Sequence, residues 1–315
     1  MSAARVLLTC PPALATAGEY IERLGEHGIE VVCAEVVQSL SEDDLIRVIG
    51  EFDGLVAGDD PLTARVMDHA RRMRVIARWG VGMDNVDLAA AQALGIRVVN
   101  TPGVFADEVA DIAIGYVILL ARQLHRIDAA VRAGQWAKPA GNSLAGRALG
   151  IVGLGSIGRA VARRAIAMSM AVAGSDVSPA AAAAAERDGV AVVDLDALFA
   201  RSEVLVLCSS LTTDNRHLID RAVIDRMPGG AWLINVARGG LVDESALVDA
   251  LVDGRIGRAA LDVFEVEPLP AESRLRAFDQ VILGSHNASN TGEAVRRVNA
   301  MVIENLLRGL AEVTR

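Results

Sequence analysis

The sequence carries no excess of positive charge: 31 Lys and Arg stand against 40 Asp and Glu, a formal net charge of −9. That balance advertises neither nucleic acid nor an anionic membrane as a partner, and an anionic substrate has to be met by local positive groups. Cysteine is scarce. Cys10, Cys33 and Cys208 are odd in number and far apart, without metal-ligand or redox-pair spacing. A disulfide framework is excluded, and the three read as reduced, partly buried core thiols of a cytoplasmic protein. Long hydrophobic runs are missing too. The most lipid-like stretch, 112–121, is about half the length that spans a bilayer and reads as a buried helix. The apolar part of MSAARVLLTCPP is too short for a signal peptide.

What is present is a globular composition. Hydrophobic residues at 52% and charged residues at 23% exclude a disordered or fibrous class, and 315 residues suffice for two domains with separate cores. Up to residue 100, β-rich runs at 6–8, 31–34, 54–57, 75–78 and 97–99 alternate with helical stretches at 17–27, 43–49, 63–69 and 88–94. Such alternation implies parallel strands with crossover helices, hence an α/β domain. Pro102 and Gly103 break the pattern and mark an interdomain crossing. A helix over 108–125, apolar on most faces, follows, then an irregular stretch to 145. From 149 the alternation resumes, with strands at 149–152, 171–175, 191–193, 204–207, 231–235, 259–263 and 281–284. An amphipathic helix over 291–310 has no strand after it and is expected to cross back to the first domain. The expected domains are 1–100 with 286–315, and 101–285.

The second domain opens with LGIVGLGSIGRAVA, an apolar run leading into Gly153, Gly155 and Gly158 in the order G-x-G-x-x-G and then into a helical pattern. Gly153 permits the tight turn, Gly155 lets backbone amides approach a pyrophosphate, and Gly158 lets the helix lie close to the strand. The phosphates of a dinucleotide would sit on the helix N-terminus, at Ser156 and Ile157, where unpaired N–H groups favour an anion. A second apolar run ends at Asp176, where a βαβ unit carries the acid for the adenosine ribose. No Arg or Lys directly follows Asp176, so its charge repels a 2′-phosphate, and NAD is the expected cofactor.

Other polar residues fall at strand ends, where ligands of open α/β sheets bind: Arg238 after INVA, the segment Asp262 to Glu267, and His286 after VILGS. His286 is a natural acid/base for an alcohol-to-ketone conversion near neutral pH. Glu267 can orient the imidazole and favour its charged form, and Arg238 can polarise a ketone oxygen and pair with a carboxylate. Each also has a structural reading: His286 as a core histidine, Arg238 as a helix cap, Glu267-Pro268 as a turn. His27, His69, His125 and His217 have no acid and nucleophile set near them in sequence and are assigned to surface or helix ends. Trp79, Trp136 and Trp232 read as core or interface. Asp84 and Asp87 read as caps of the following helix, and no metal is expected.

INVARGGLVDESALVDALVDGRIGRAALDVFEVEPLP, residues 234–270, resembles the signature of the D-2-hydroxyacid dehydrogenase family in its phosphoglycerate dehydrogenase-like branch. The resemblance extends to RWGVGMDNVDL (78–88), NTPG, VADIA, GLGSIG and SHNASNT, nearly the whole chain. It implies two doubly wound parallel-sheet α/β domains, with a Rossmann nucleotide domain inserted in a flavodoxin-like substrate domain. It implies Arg238, Glu267 and His286 as the catalytic set, with Val236 and Asp262 on the NAD side. Val81 and Gly82 would bind the substrate carboxylate together with Arg238. It further implies a homodimer formed through the nucleotide domain and hydride transfer at C2 of a small 2-hydroxy or 2-keto acid, of the hydroxypyruvate/glyoxylate type or 3-phosphoglycerate. A non-catalytic NAD sensor on the same fold is the alternative, although a sensor has no need of Arg238, Glu267 and His286. Two positions depart from the family pattern. Ser285 stands where a proline usually precedes the histidine. Asp59 and Asp60 stand where phosphoglycerate enzymes carry an arginine-serine pair, and two carboxylates there would repel a phosphate.

Overall fold

The structure, a computed structural model, describes residues 3–312. The chain divides into two compact units: unit 1 runs up to Val104 and resumes at Asn290, and unit 2 is Phe105–Ser289. The crossings thus fall at 104/105 and 289/290, beyond the expected 100/101 and 285/286, which leaves His286 in unit 2.

Unit 1 holds five parallel strands, β1 (Arg5–Leu8), β2 (Glu30–Cys33), β3 (Gly54–Ala57), β4 (Val75–Arg78) and β5 (Arg97–Val99). They lie in the order β2-β1-β3-β4-β5, the flavodoxin-like arrangement. The central strands β3 and β4 are buried along their whole length, as their near-continuous apolar runs require of a parallel sheet covered on both faces. One cover is the helix Gly292–Glu312, which packs on β4 and on the helix Ala17–Gly25. Its buried Asn299 fixes the docking. The amide oxygen accepts from Tyr20 Oη (2.8 Å) and Trp79 Nε1 (2.9 Å), and the amide nitrogen donates to Thr16 Oγ1 and Glu19 Oε2, both 2.9 Å. A buried amide with every group paired specifies one seating of the helix; a leucine there would remove the acceptor that a buried indole N–H and a phenol share. Side chains of Ser41, Thr63 and Asp87 cap three further helices, each worth about 1 kcal/mol.

Unit 2 holds seven parallel strands: β6 (Ala148–Val152), β7 (Ala171–Ser175), β8 (Ala191–Val192), β9 (Val204–Leu207), β10 (Ala231–Asn235), β11 (Ile256–Leu261) and β12 (Val281–Leu283). Their order is β12-β11-β10-β9-β6-β7-β8, a Rossmann sheet whose strand order reverses between β6 and β9. The expected helix over 108–125 is divided. Ala106–Arg122 ends where Gln123 turns left-handed (φ 53°), and Leu124–Arg132 begins anew and runs on into the stretch read as irregular. Its breakers, Gly134 and Pro139, lie only beyond Arg132. The first of these helices buries Val109, Ala113, Val117 and Leu120 and packs on the helix Ser156–Ala167, with Arg164 bridging Asp107 (3.0 Å) and Asp111 (2.7 Å). One reading of a single residue needs correction: Cys33, on the edge strand β2, is exposed and not a partly buried core thiol. Trp136, read as core or interface, is 79% exposed and fills no core. Among the described residues no helix is long and apolar enough to cross a membrane.

Candidate active site

The glycine-rich turn has the form a dinucleotide needs. Gly153 adopts φ 91°, and a side chain there would meet the Ser209 backbone at 2.7 Å. A Cβ on Gly158 would lie 1.9 Å from the Gly153 carbonyl oxygen, so helix and strand can approach only through glycine. Nothing stands within 4 Å of a Cβ on Gly155, which leaves open the face that a pyrophosphate would use. The helix Ser156–Ala167 starts there and brings its first amides and dipole to that face. Asp176 follows β7 and accepts from two backbone amides, Leu154 N–H of the glycine turn and Ser178 N–H, both at 2.7 Å. Its carboxylate has acceptor capacity beyond those two bonds, enough for ribose hydroxyls. The residues present therefore fit NAD, and Asp176 additionally holds the turn, which the sequence did not reveal.

The remaining site residues emerge from the carboxyl ends of three adjacent strands. After β10, the Asn235 side chain accepts from Ala237 N–H (3.0 Å) and donates to the Arg238 carbonyl (2.8 Å), forming the turn that carries Val236 and Arg238. Gly239 then presses on the next segment so closely that a Cβ would lie 1.9 Å from Phe264 C and O. After β11 comes Asp262, buried, and then Glu267, whose Oε1 accepts from Phe264 N–H at 2.9 Å. After β12 comes His286 at φ 52°, with its Nδ1 2.7 Å from Glu267 Oε2. The turn that presents the histidine is built on Asp262. The Asp262 carbonyl accepts from His286 N–H (2.7 Å), and its carboxylate accepts from Asn287 N–H (3.3 Å) and Ala288 N–H (2.9 Å). Tyr116 Oη also donates to Asp262 Oδ1 (3.3 Å), and burial beside that carboxylate pushes the phenol pKa up. With so many bonds to Asp262, Ser285 suffices where the family uses proline.

In unit 1 the loop after β4 carries Val81 and Gly82; Asn100 Nδ2 donates to the Val81 carbonyl (2.7 Å), and Thr101 pairs with Gly80. The pair after β3 differs from its reading as two repelling carboxylates. Asp60 is fully buried and accepts from Thr9 Oγ1, Leu40 N–H and Gly58 N–H; burial pushes its carboxyl pKa up against these bonds. Asp59 faces the buried Arg78, Nη2 to Oδ1 at 2.7 Å, and accepts from Gln38. The hydroxyl, amides and guanidinium that complete this loop come from sequence-distant segments. Asp87 caps its helix as expected.

His217 lies at the surface as assigned, its side chain 39% exposed, but it has an acid beside it. Its side chain pairs with Glu265, and its N–H donates to the Gly240 carbonyl (2.8 Å). Glu265 N–H in turn donates to Glu244 Oε1 (2.7 Å). No short-range signal in the sequence joins His217 to residues so far downstream. The His69 and His125 rings bond to the backbone carbonyls of Arg65 and Asp279.

Residues 114–288 match the model of the D-isomer specific 2-hydroxyacid dehydrogenase NAD binding domain. A hydroxypyruvate reductase of Thermotoga maritima is 39% identical over 279 residues, 87% of this chain and 90% of that protein. A D-3-phosphoglycerate dehydrogenase of Archaeoglobus fulgidus is 35% identical over 93% of this chain but only 56% of its own length. Among solved structures, a D-lactate dehydrogenase of Aquifex aeolicus complexed with NAD and lactic acid superposes with a TM-score of 0.85, covering 98% of this chain and 96% of that one at 25% identity. The chain belongs to the D-isomer specific 2-hydroxyacid dehydrogenase family and is an NAD-dependent oxidoreductase.

Proposed function

We propose that this dehydrogenase interconverts a small, unphosphorylated D-2-hydroxy acid and its 2-keto acid, of the hydroxypyruvate/glyoxylate type, in the cytoplasm and as a homodimer. The observation that carries the reading is the His286–Glu267 pair at 2.7 Å, at the carboxyl edge of the same sheet that carries Arg238 after β10 and the glycine turn after β6. Glu267 holds Nδ1, so Nε2 is the nitrogen that exchanges a proton with the substrate oxygen. The carboxylate balances the charge which the ring gains when it takes the hydroxyl proton. Arg238 polarises the ketone and pairs with the substrate carboxylate through its planar fork; the amides of Val81 and Gly82 complete that carboxylate's binding, as in the family. Gly153, Gly155, Ser156, Ile157, Gly158 and Asp176 hold the adenosine and pyrophosphate, and Val236 and Asp262 meet the nicotinamide side. The bound nicotinamide supplies or receives hydride at C2.

The choice of an unphosphorylated substrate rests on the match to a hydroxypyruvate reductase over 87% of this chain and 90% of that protein, and on Arg78 being already engaged by Asp59. Exposed Ile112, Ile118, Leu124, Val131 and Trp136 on and beyond the helices Ala106–Arg122 and Leu124–Arg132 support dimerisation through unit 2. Three free cysteines accord with a reducing compartment. NADH consumption with glyoxylate, hydroxypyruvate, pyruvate and phosphohydroxypyruvate tests the substrate, and His286→Ala tests the proton donor. The variant should lose roughly 10²- to 10⁴-fold in kcat while still binding NADH. Absence of turnover with every 2-keto acid would overturn the reading in favour of a nucleotide sensor.

A further inference from the structure

Among the described residues only four besides glycine have positive φ, and two of them are histidines: His286 (52°) and His217 (54°). Each is joined to a glutamate of one short segment, His286 to Glu267 and His217 to Glu265. A left-handed histidine persists only where its surroundings over-determine it, and such positions concentrate at functional sites. At His217 the surroundings are two loops of the site. Its N–H is bonded to Gly240, two residues after Arg238, and its ring is bonded to Glu265, two residues before Glu267. The following residues continue the tie: Ile219 N–H donates to the Leu241 carbonyl (2.9 Å), and Asp243 N–H donates to Ile219 (3.1 Å). Helix capping does not explain this histidine, because the next helix is capped by Asp220.

We propose that His217 is a positioning residue for Arg238 and Glu267: with its backbone on Gly240 and its ring on Glu265, it pins the 264–267 turn to the arginine loop. The inference rests on the catalytic reading of His286, Glu267 and Arg238. The turn needs such a tie because it is rich in negative charge. Glu244 accepts from Glu265 N–H, and burial together with the charges of Glu265 and Glu267 pushes the Glu244 carboxyl pKa up. The imidazole of His217 supplies Glu265 with a counter-charge when protonated. Arg216 stands near the same loop, its Nη1 3.1 Å from where a Cβ on Gly240 would lie. Without His217, the Glu265 carboxylate loses the bond that holds it, and the turn that aims Glu267 at His286 Nδ1 is free to shift.

The test uses the full chain with His217→Ala, Glu265→Gln, the double variant and His286→Ala. Measured for each are kcat and KM for hydroxypyruvate, KM for NADH, the pH profile of kcat and the thermal midpoint. A displacement of the turn by a fraction of an ångström should lower kcat by ~10-fold or more and leave KM for NADH unchanged. Glu265→Gln should do the same, and the double variant should add nothing, as expected of two members of one pair. A lowered thermal midpoint with wild-type kcat and pH profile would make His217 merely structural and overturn the proposal, as would additive losses. If His217→Ala does not fold, the nearly isosteric Glu265→Gln decides alone by the same readouts. Full turnover in His286→Ala would instead remove the catalytic reading, and this proposal with it; loss of turnover there, with wild-type behaviour at positions 217 and 265, removes this proposal only.

Discussion

Replacing Gly284 with alanine perturbs the placement of His286 without touching the imidazole. The added methyl would lie 2.3 Å from Asp262 Oδ1, 2.6 Å from Tyr116 Oη and 2.9 Å from Asp262 Cα. Comfortable contact for a carbon needs about 3.5 Å, so roughly 1 Å must be found. Asp262 cannot supply it by rotating, since its carboxylate holds Asn287 and Ala288 N–H and its carbonyl holds His286 N–H. The turn itself must move, carrying His286 away from Glu267 and from the substrate. A displacement of about 1 Å at a reacting group costs about 10²-fold in rate, or about 2.7 kcal/mol in the barrier; overpacking adds a stability cost of about 1–3 kcal/mol. Steady-state NADH oxidation at saturating 2-keto acid measures the first, and denaturant unfolding the second. NADH affinity, measured by fluorescence, should change far less than kcat, because the turn at Gly153–Gly158 is untouched. Adding Tyr116→Phe removes the contact at 2.6 Å but not that at 2.3 Å, so it should restore only part of the rate. Wild-type kcat in Gly284→Ala would refute the claim that Asp262 fixes the histidine turn.

Three further outcomes follow from the same geometry. Asp176→Ala should narrow the preference for NADH over NADPH and raise KM for NADH, because the ribose acceptor and the anchor of Leu154 N–H go together; an unchanged cofactor ratio in steady-state assays would count against the ribose role. Asp59→Asn should release Arg78 and raise kcat/KM for phosphohydroxypyruvate relative to hydroxypyruvate, whereas Asp60→Ala should chiefly destabilise unit 1, stranding the Leu40 and Gly58 N–H donors at about 1–3 kcal/mol each; a substrate effect at Asp60 instead of Asp59 would contradict this division of roles. Glu244 has its folded pKa raised by burial and by neighbouring carboxylates, so the stability it contributes is full below its unfolded pKa and is lost as pH rises through the raised value. Glu244→Gln should therefore gain on the wild type in unfolding free energy from acid to neutral pH, and a difference independent of pH would contradict that sign.

Much of this was legible because it is local. The G-x-G-x-x-G turn, the alternation of apolar runs and helical stretches, the helix cap at Asp87 and the polar residues at strand ends all express short-range rules. Arg238, Glu267 and His286 became a set through the family signature, and the structure brings Glu267 and His286 into contact. What stayed hidden depends on contacts between distant segments. Whether Asp60 is a surface charge or a buried acceptor is decided by Thr9 and Leu40, which only the fold brings to it. His217 looked isolated because its carboxylate partner lies far down the chain. The break at Gln123 was missed for another reason: the apolar pattern runs on across a residue whose left-handed turn no side-chain chemistry announces.

The seating of the last helix on the first sheet has a consequence for biosynthesis. Gly309 packs so tightly on β4 that a Cβ would lie 2.5 Å from the Val75 side chain, and Asn299 completes hydrogen bonds with residues near the beginning of the chain. A ribosome delivers β1 to β5 first, yet the helix that covers β4 is delivered after all of unit 2 has been made. The nascent first sheet must therefore wait with one apolar face uncovered while the inserted unit, contiguous in sequence, is free to fold. Translational pausing, chaperone engagement or truncation before residue 292 would act on unit 1 alone, so the part made first is the part finished last.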